Sequence, residues 1–179
     1  MEIIEGIENP TLKLKTAYQK VCYYRGVELF NEDYLDASIA LFNRSLENPY
    51  DKDITAKAHY WKAEALYVLE RFDEATADYI LYTEAAPVAQ KLNLIEHKAY
   101  AYYSLAYAFY NQKKYAQART YFSFSKKEFE DLPDALKQTI AYKKTQPDAI
   151  LRLADCYYLM RDFDRALSYY KSIYEGKNR

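Results

Sequence analysis

His59, His97, Cys22 and Cys156 are the side chains with the most versatile chemistry in this chain, and their spacing excludes most of it. The two histidines stand alone, with no H-E-x-x-H arrangement. The two cysteines lie far apart, in no C-x-x-C pair and near no His cluster, so they indicate neither a disulfide framework nor a metal site. They read as small core residues. A metal shared by Cys22 and His59 would lack a third ligand. No spacing suggests a Ser/His/Asp trio, and three glycines leave no Gly-rich phosphate loop. Carboxylate pairs such as Asp73-Glu74 stand at helix starts, where they complement the macrodipole. The expectation is a protein that is not an enzyme and has no metal and no cofactor.

Aromatic rings offer contact rather than reaction, and here they are abundant: 22 Tyr, 8 Phe and 1 Trp in 179 residues. Charge narrows what they would contact. With 25 basic and 26 acidic residues the chain lacks the electrostatic partner for a phosphate backbone, so nucleic acid is excluded. The local cluster Lys113-Lys114, Arg119 and Lys126-Lys127 is offset by Glu128, Glu130 and Asp131 and reads as a solvated face. The uncharged stretch from Ala99 to Tyr110 falls well short of the roughly 20 apolar residues a spanning helix needs, so no membrane insertion is expected.

Elements to hold these residues follow from composition and spacing. Half the residues are apolar, 28% are charged, and few Gly and Pro are available for hairpin turns, so the chain reads as nearly all helix. Phe72-Asp73-Glu74-Ala75 recurs as Tyr115-Ala116-Gln117-Ala118 and Phe163-Asp164-Arg165-Ala166, with Leu35-Asp36-Ala37-Ser38 as a weaker first copy. A small residue precedes each copy in the same register: Gly26, Ala63, Ala106 and Ala154. An aromatic follows in register: Phe42, Tyr79, Phe122 and Tyr170. Leu29, Leu66, Phe109 and Tyr157 stand three residues after the first small residue, on the same helical face. The pattern predicts antiparallel helix pairs whose backbones approach at the small residues while the aromatic fills the space beside them. Four-residue turns at Asn31 to Tyr34 and Asn111 to Lys114 would join the helices.

This pattern resembles the tetratricopeptide repeat, a 34-residue unit with small residues at positions 8 and 20, aromatics at 17 and 24, and Pro at 32. The second copy carries it best, in His59-Tyr60-Trp61-Lys62-Ala63-Glu64-Ala65-Leu66-Tyr67 followed by Phe72, Ala75, Tyr79 and Pro87. It departs at positions 4 and 7, where His59 and Lys62 stand. His59 would fill the position-4 packing slot that Cys22, Tyr102 and Ile150 fill elsewhere. The resemblance implies one all-α domain over residues 1–179, a right-handed superhelical solenoid of about eight main helices. Its repeats would run roughly over 19–50, 56–87, 99–132 and 147–176.

The small residues are spaced by 37, 43 and 48 residues, so the additions fall between repeats, at Ala86-Pro87-Val88-Ala89-Gln90 and Leu132-Pro133-Asp134. Room for a short extra helix exists near 133–144, before Pro147 starts the fourth repeat. After the last helix no solvating helix follows, and Leu153, Tyr157 and Tyr170 are expected to form an apolar edge. Two outcomes would cover it, that the chain is a segment of a longer repeat protein or that it self-associates through that end; the alternative is simply a frayed end. The acidic start Met1-Glu2-Ile3-Ile4-Glu5-Gly6 is not a signal peptide. An excised segment would belong to the bacterial envelope, to whose repeat proteins the second copy is similar, and a complete chain to the cytoplasm.

The resemblance also implies where a ligand sits: on positions 2, 5, 9, 12 and 13 of the first helices, facing the concave side. Those residues include Tyr23, Phe30, Tyr60, Tyr67, Tyr103, Tyr107, Tyr110 and Tyr158, with Trp61 and Tyr100 alongside and Leu151 as the aliphatic exception. Lys20, Lys57, Glu64 and Asp155 would supply polar contacts of mixed sign. The Lys, Asn and Arg clamp with which some relatives hold a C-terminal carboxylate is absent, since Tyr23, Val27, Trp61, Tyr100 and Ser104 stand in its places. Two readings of the rings stay open, half-buried packing and a ligand groove. The expected function is a protein- or peptide-binding scaffold; the alternatives are a spacer within a longer repeat protein and a module that binds glycan or cell-wall material.

Overall fold

Four times along the chain, a helix is started by a side-chain cap and ended by a left-handed residue that turns it into the next helix. A computed structural model describes residues 11–85 and 97–176. By its internal contacts the chain divides into two compact units, residues 1–88 and 89–179, each of which is taken by itself. The first unit holds α1 (Leu12–Asn31), α2 (Leu35–Leu46), α3 (Lys52–Val68) and α4 (Phe72–Ala85). The second holds α5 (Lys98–Asn111), α6 (Tyr115–Glu130), the short α7 (Asp134–Lys137), α8 (Ile140–Leu159) and α9 (Phe163–Gly176). The described residues contain no strand, and the fold is an all-α helical repeat.

The first helix of every pair has a side-chain N-cap: Thr11, Asp51, His97 and Thr139 each accept a backbone N–H of the first turn. Each of these helices ends at a non-glycine residue with positive φ in one register: Asp33 (64°), Glu70 (58°), Lys113 (59°) and Arg161 (64°). The bonds repeat as well. Glu70 N–H donates to Tyr67 O and Arg71 N–H to Leu66 O, and the same pair occurs at the other three turns. This is the Schellman arrangement, which satisfies helix-end carbonyls. It leaves three residues between the helices rather than the expected four, because Asn31 and Asn111 are still helical.

Within each pair the small residues are buried as the register requires: Gly26, Ala63, Ala106 and Ala154 on the first helix, and Ser38, Ala75, Ala118 and Ala166 on the second. Gly26 shows why. A Cβ there would lie 2.7 Å from Phe42 Cε1. Ser38, at the place where the other repeats have Ala, donates its hydroxyl to Gly26 O at 2.9 Å. Ser45 and Ser125 occupy matching places in the two units and donate to Gln19 O and Ala99 O at 3.0 and 2.8 Å. Gln19 is fully buried and bonds Asp51 N–H and Thr55 Oγ1, which ties α1 to the start of α3.

Two expectations about the fourth repeat are corrected. Pro147 lies inside α8 instead of starting it, since the helix begins seven residues earlier behind the Thr139 cap. Proline removes its own N–H bond and crowds the carbonyl one turn earlier, and contacts made by the added turns offset this: Thr145 Oγ1 is 2.9 Å from Tyr100 Oη, and the Tyr142 ring meets Phe129 edge-on at 5.8 Å. Leu153 is fully buried rather than part of an apolar edge, and Tyr157 stacks on Tyr169 at 5.6 Å. The exposed large apolar residues of this repeat include Tyr158, Phe163, Leu167 and Tyr174. The extra helix expected near 133–144 is present as α7, while the break at Pro87 lies outside the described residues.

Candidate functional site: the aromatic faces of the first helices

Tyrosines at the fifth and twelfth repeat positions share a helix face, yet their surroundings differ. In the first unit Tyr23 is 4% exposed and Tyr60 1% exposed. Tyr23 packs in a cluster with Phe42, Ile54 and Ala58. Tyr60 meets Trp61, Tyr79 and Tyr82 with ring centroids 5.5, 6.2 and 5.2 Å away. Within this unit both rings are core. Phe30, Trp61 and Tyr67 remain half-buried. Phe30 of α1 and Trp61 of α3 meet edge-on at 5.3 Å, and Tyr67 meets Phe72 in the same way at 5.4 Å.

In the second unit Tyr103 and Tyr107 of α5 lie edge-on at 4.9 Å, and both donate to one oxygen of Asp148 on α8, at 2.8 and 2.5 Å. Arg152 donates from Nε to Tyr107 Oη at 3.0 Å and from Nη1 to Asp155 Oδ2 at 2.6 Å. The other oxygen of Asp155 accepts from Tyr170 at 2.6 Å. The result is a continuous polar chain from Tyr103 to Tyr170 linking α5, α8 and α9. Burial, then the bond to Asp148, pushes the Tyr107 phenol up to about 12 and raises Tyr103 as well. Burial and Asp155 push Tyr170 up to about 12. All three are therefore hydroxyl donors at neutral pH. Tyr110 is half-buried, Tyr158 is 56% exposed, and each meets the ring across its turn, Tyr115 at 5.5 Å and Phe163 at 5.6 Å.

The polar residues expected to meet a ligand have partners inside the protein. Lys20 pairs with Asp51 at 2.8 Å and Lys57 with Asp53 at 3.3 Å, while Glu64 accepts from Tyr79 at 2.7 Å. His59 does more than fill a packing slot: its Nδ1 lies 2.6 Å from Oδ1 of the buried Asp78, whose Oδ2 pairs with Lys62 at 3.0 Å. The signal in the sequence was Asp78 itself, an acid at the register position where the other repeats have Leu41, Tyr121 and Tyr169. Asp148 and Arg152 gave no such signal, because their role depends on which helix faces them. Cys22 and Cys156 are buried and in no disulfide, and burial pushes Cys156 up to about 12. Among the described residues, no group of three or more His, Cys, Asp or Glu is arranged to hold a metal ion.

Family models were compared with this geometry. A tetratricopeptide repeat model matches residues 27–90, and a second model of that repeat matches residues 100–123 and 148–175. The chain belongs to the tetratricopeptide repeat family. No curated protein sequence matches it closely. Tetratricopeptide repeats generally act as scaffolds of protein–protein interaction and are typically non-catalytic. In this tetratricopeptide repeat chain, no helix among the described residues is long and apolar enough to cross a membrane.

Proposed function

We propose that the chain is a non-enzymatic scaffold that binds a protein or peptide through the aromatic faces of its first helices. The contact residues are Phe30, Trp61 and Tyr67 in the first unit and Tyr110 and Tyr158 in the second, with Tyr103 and Tyr107 as the ordered floor beside them. One observation carries this reading: Phe30 and Trp61 come from different helices, meet edge-on, and still keep part of their surface. Rings fixed in this way offer contact area at little entropic cost on binding. The experiment is peptide display against the immobilised chain, followed by titration of enriched peptides using Trp61, the only tryptophan, as fluorophore. Tyr67→Ala and Phe30→Ala are expected to weaken enriched peptides at least tenfold with unchanged far-UV circular dichroism. No enriched peptide, or equal affinity for both variants, would reject the reading.

A second reading, self-association through the C-terminal helix pair, is supported by the exposed Phe163 and Leu167 of α9. Its test is the solution mass of the chain across a concentration series.

A further inference from the structure

In the first unit one repeat sits on the other through a definite contact. Ile54, Ala58 and Trp61 form one face of α3 and pack with Tyr23, Phe42 and Leu46 of α1 and α2. The repeat register transfers both halves of this contact to other parts of the chain. On α1 the positions of Ile54, Ala58 and Trp61 are held by Ala17, Val21 and Tyr24, spaced i, i+4 and i+7 on one helix face and all exposed. In the fourth repeat the positions of Tyr23, Phe42 and Leu46 are held by Leu151, Tyr170 and Tyr174, again apolar or aromatic. Beside them Leu167 stands where the first repeat has Ile39. Ile39 is 7% exposed and Leu167 is 52% exposed. One chain thus carries a docking row on α1 and the matching receiving face on α8 and α9.

We propose that the receiving face takes α1 of a second copy of this chain, which continues the contact between repeats from one molecule to the next in head-to-tail order. The proposal rests on the self-association reading above and adds the surface that meets the C-terminal pair. Because the two faces differ, the contact is heterologous, and copies add in head-to-tail order into a ring or an open filament.

Sedimentation velocity of the full chain over a concentration series tests this, with Leu167→Lys and Val21→Lys as variants. Both sites are about half exposed, and circular dichroism melting verifies that the variants fold. The wild type is expected to rise above the 21.2 kDa monomer as concentration increases. Each variant alone should need at least tenfold more protein to associate. Their equimolar mixture should form a 1:1 dimer that grows no further, since one intact α1 row and one intact receiving face remain. If Val21→Lys assembles like wild type while Leu167→Lys does not, the second copy meets the C-terminal pair with some other surface; self-association then stands and the docking row is overturned. A wild type that stays monomeric throughout overturns both.

Discussion

The Tyr79 hydroxyl donates to Glu64 Oε1 across 2.7 Å and ties α4 to α3. Tyr170 and Asp155 make the same bond in the same register of the fourth repeat, at 2.6 Å. Where the aromatic slot holds Phe42 or Phe122, the facing position holds Val27 or Tyr107 instead of an acid. Hydroxyl and carboxylate therefore appear together or not at all. Tyr79→Phe is expected to lower stability by about 1.5 kcal/mol, a hydrogen bond to a charged group. Phe42→Tyr should cost about 1–3 kcal/mol, since its hydroxyl would be buried with Val27 at the place where an acid accepts it elsewhere. Urea unfolding of both variants measures this, and a neutral Phe42→Tyr would refute the pairing.

Four helix ends place a non-glycine residue in the left-handed region, a conformation costing about 1–2 kcal/mol per residue. Glycine removes that strain at some entropic cost. Glu70→Gly and Lys113→Gly should each raise stability by about 0.5–1 kcal/mol and add in the double variant, as read from thermal melts. Destabilisation would mean that the side chains at these turns contribute more than the strain they carry.

Gly26→Ala tests the close approach of α1 and α2. The new methyl would meet the fully buried Phe42 ring at 2.7 Å and force it off its position. The expected loss is about 1–3 kcal/mol. Gly26→Ala with Phe42→Leu should recover part of it, and no recovery would place the strain elsewhere.

His97 makes α5 sensitive to acid. Its Nδ1 accepts the Ala99 N–H at 3.2 Å, which requires that nitrogen to be unprotonated. Burial holds its pKa below the ordinary 6.5, with Lys98 acting in the same direction and Glu128 opposing. The unfolded chain therefore takes up the proton first. Stability from this group is complete above about pH 6.5 and is lost as pH falls from there towards the folded value. His97→Asn keeps an N-cap acceptor without a titrating group and should flatten that part of the profile. Equal slopes for both proteins between pH 5 and 7 in denaturant melts would exclude the effect.

The helix pairs were legible because their signals are local and recur: a small residue, a second small residue and an aromatic at fixed spacing describe Gly26, Ser38 and Phe42 wherever they occur. The start of α8 was not legible, because Thr145 and Tyr142 are held by Tyr100 and Phe129, and that gain outweighs the local signal of Pro147. The aromatic faces were legible only in part. Helical spacing puts Tyr23, Tyr60 and Phe30 on one side, but it does not say which of them the next helix covers. Tyr23 and Tyr60 became core because small residues such as Ala58 and Ala63 draw the neighbouring helices close, whereas Phe30 and Tyr67 sit near helix ends. The polar chain through Asp148 and Arg152 depends on partners some 45 residues distant in sequence, beyond any local pattern.

Each unit holds one fully buried thiol, Cys22 in α1 and Cys156 in α8. A sulfhydryl reagent reaches such a group only when the surrounding helices part, and Cys156 additionally stays protonated at ordinary labelling pH because burial pushes it up to about 12. The chain therefore carries a built-in timer for each half. Alkylation followed by peptide mass spectrometry would give two separate opening rates from one sample, and a ligand that protects only one cysteine would show which half it grips.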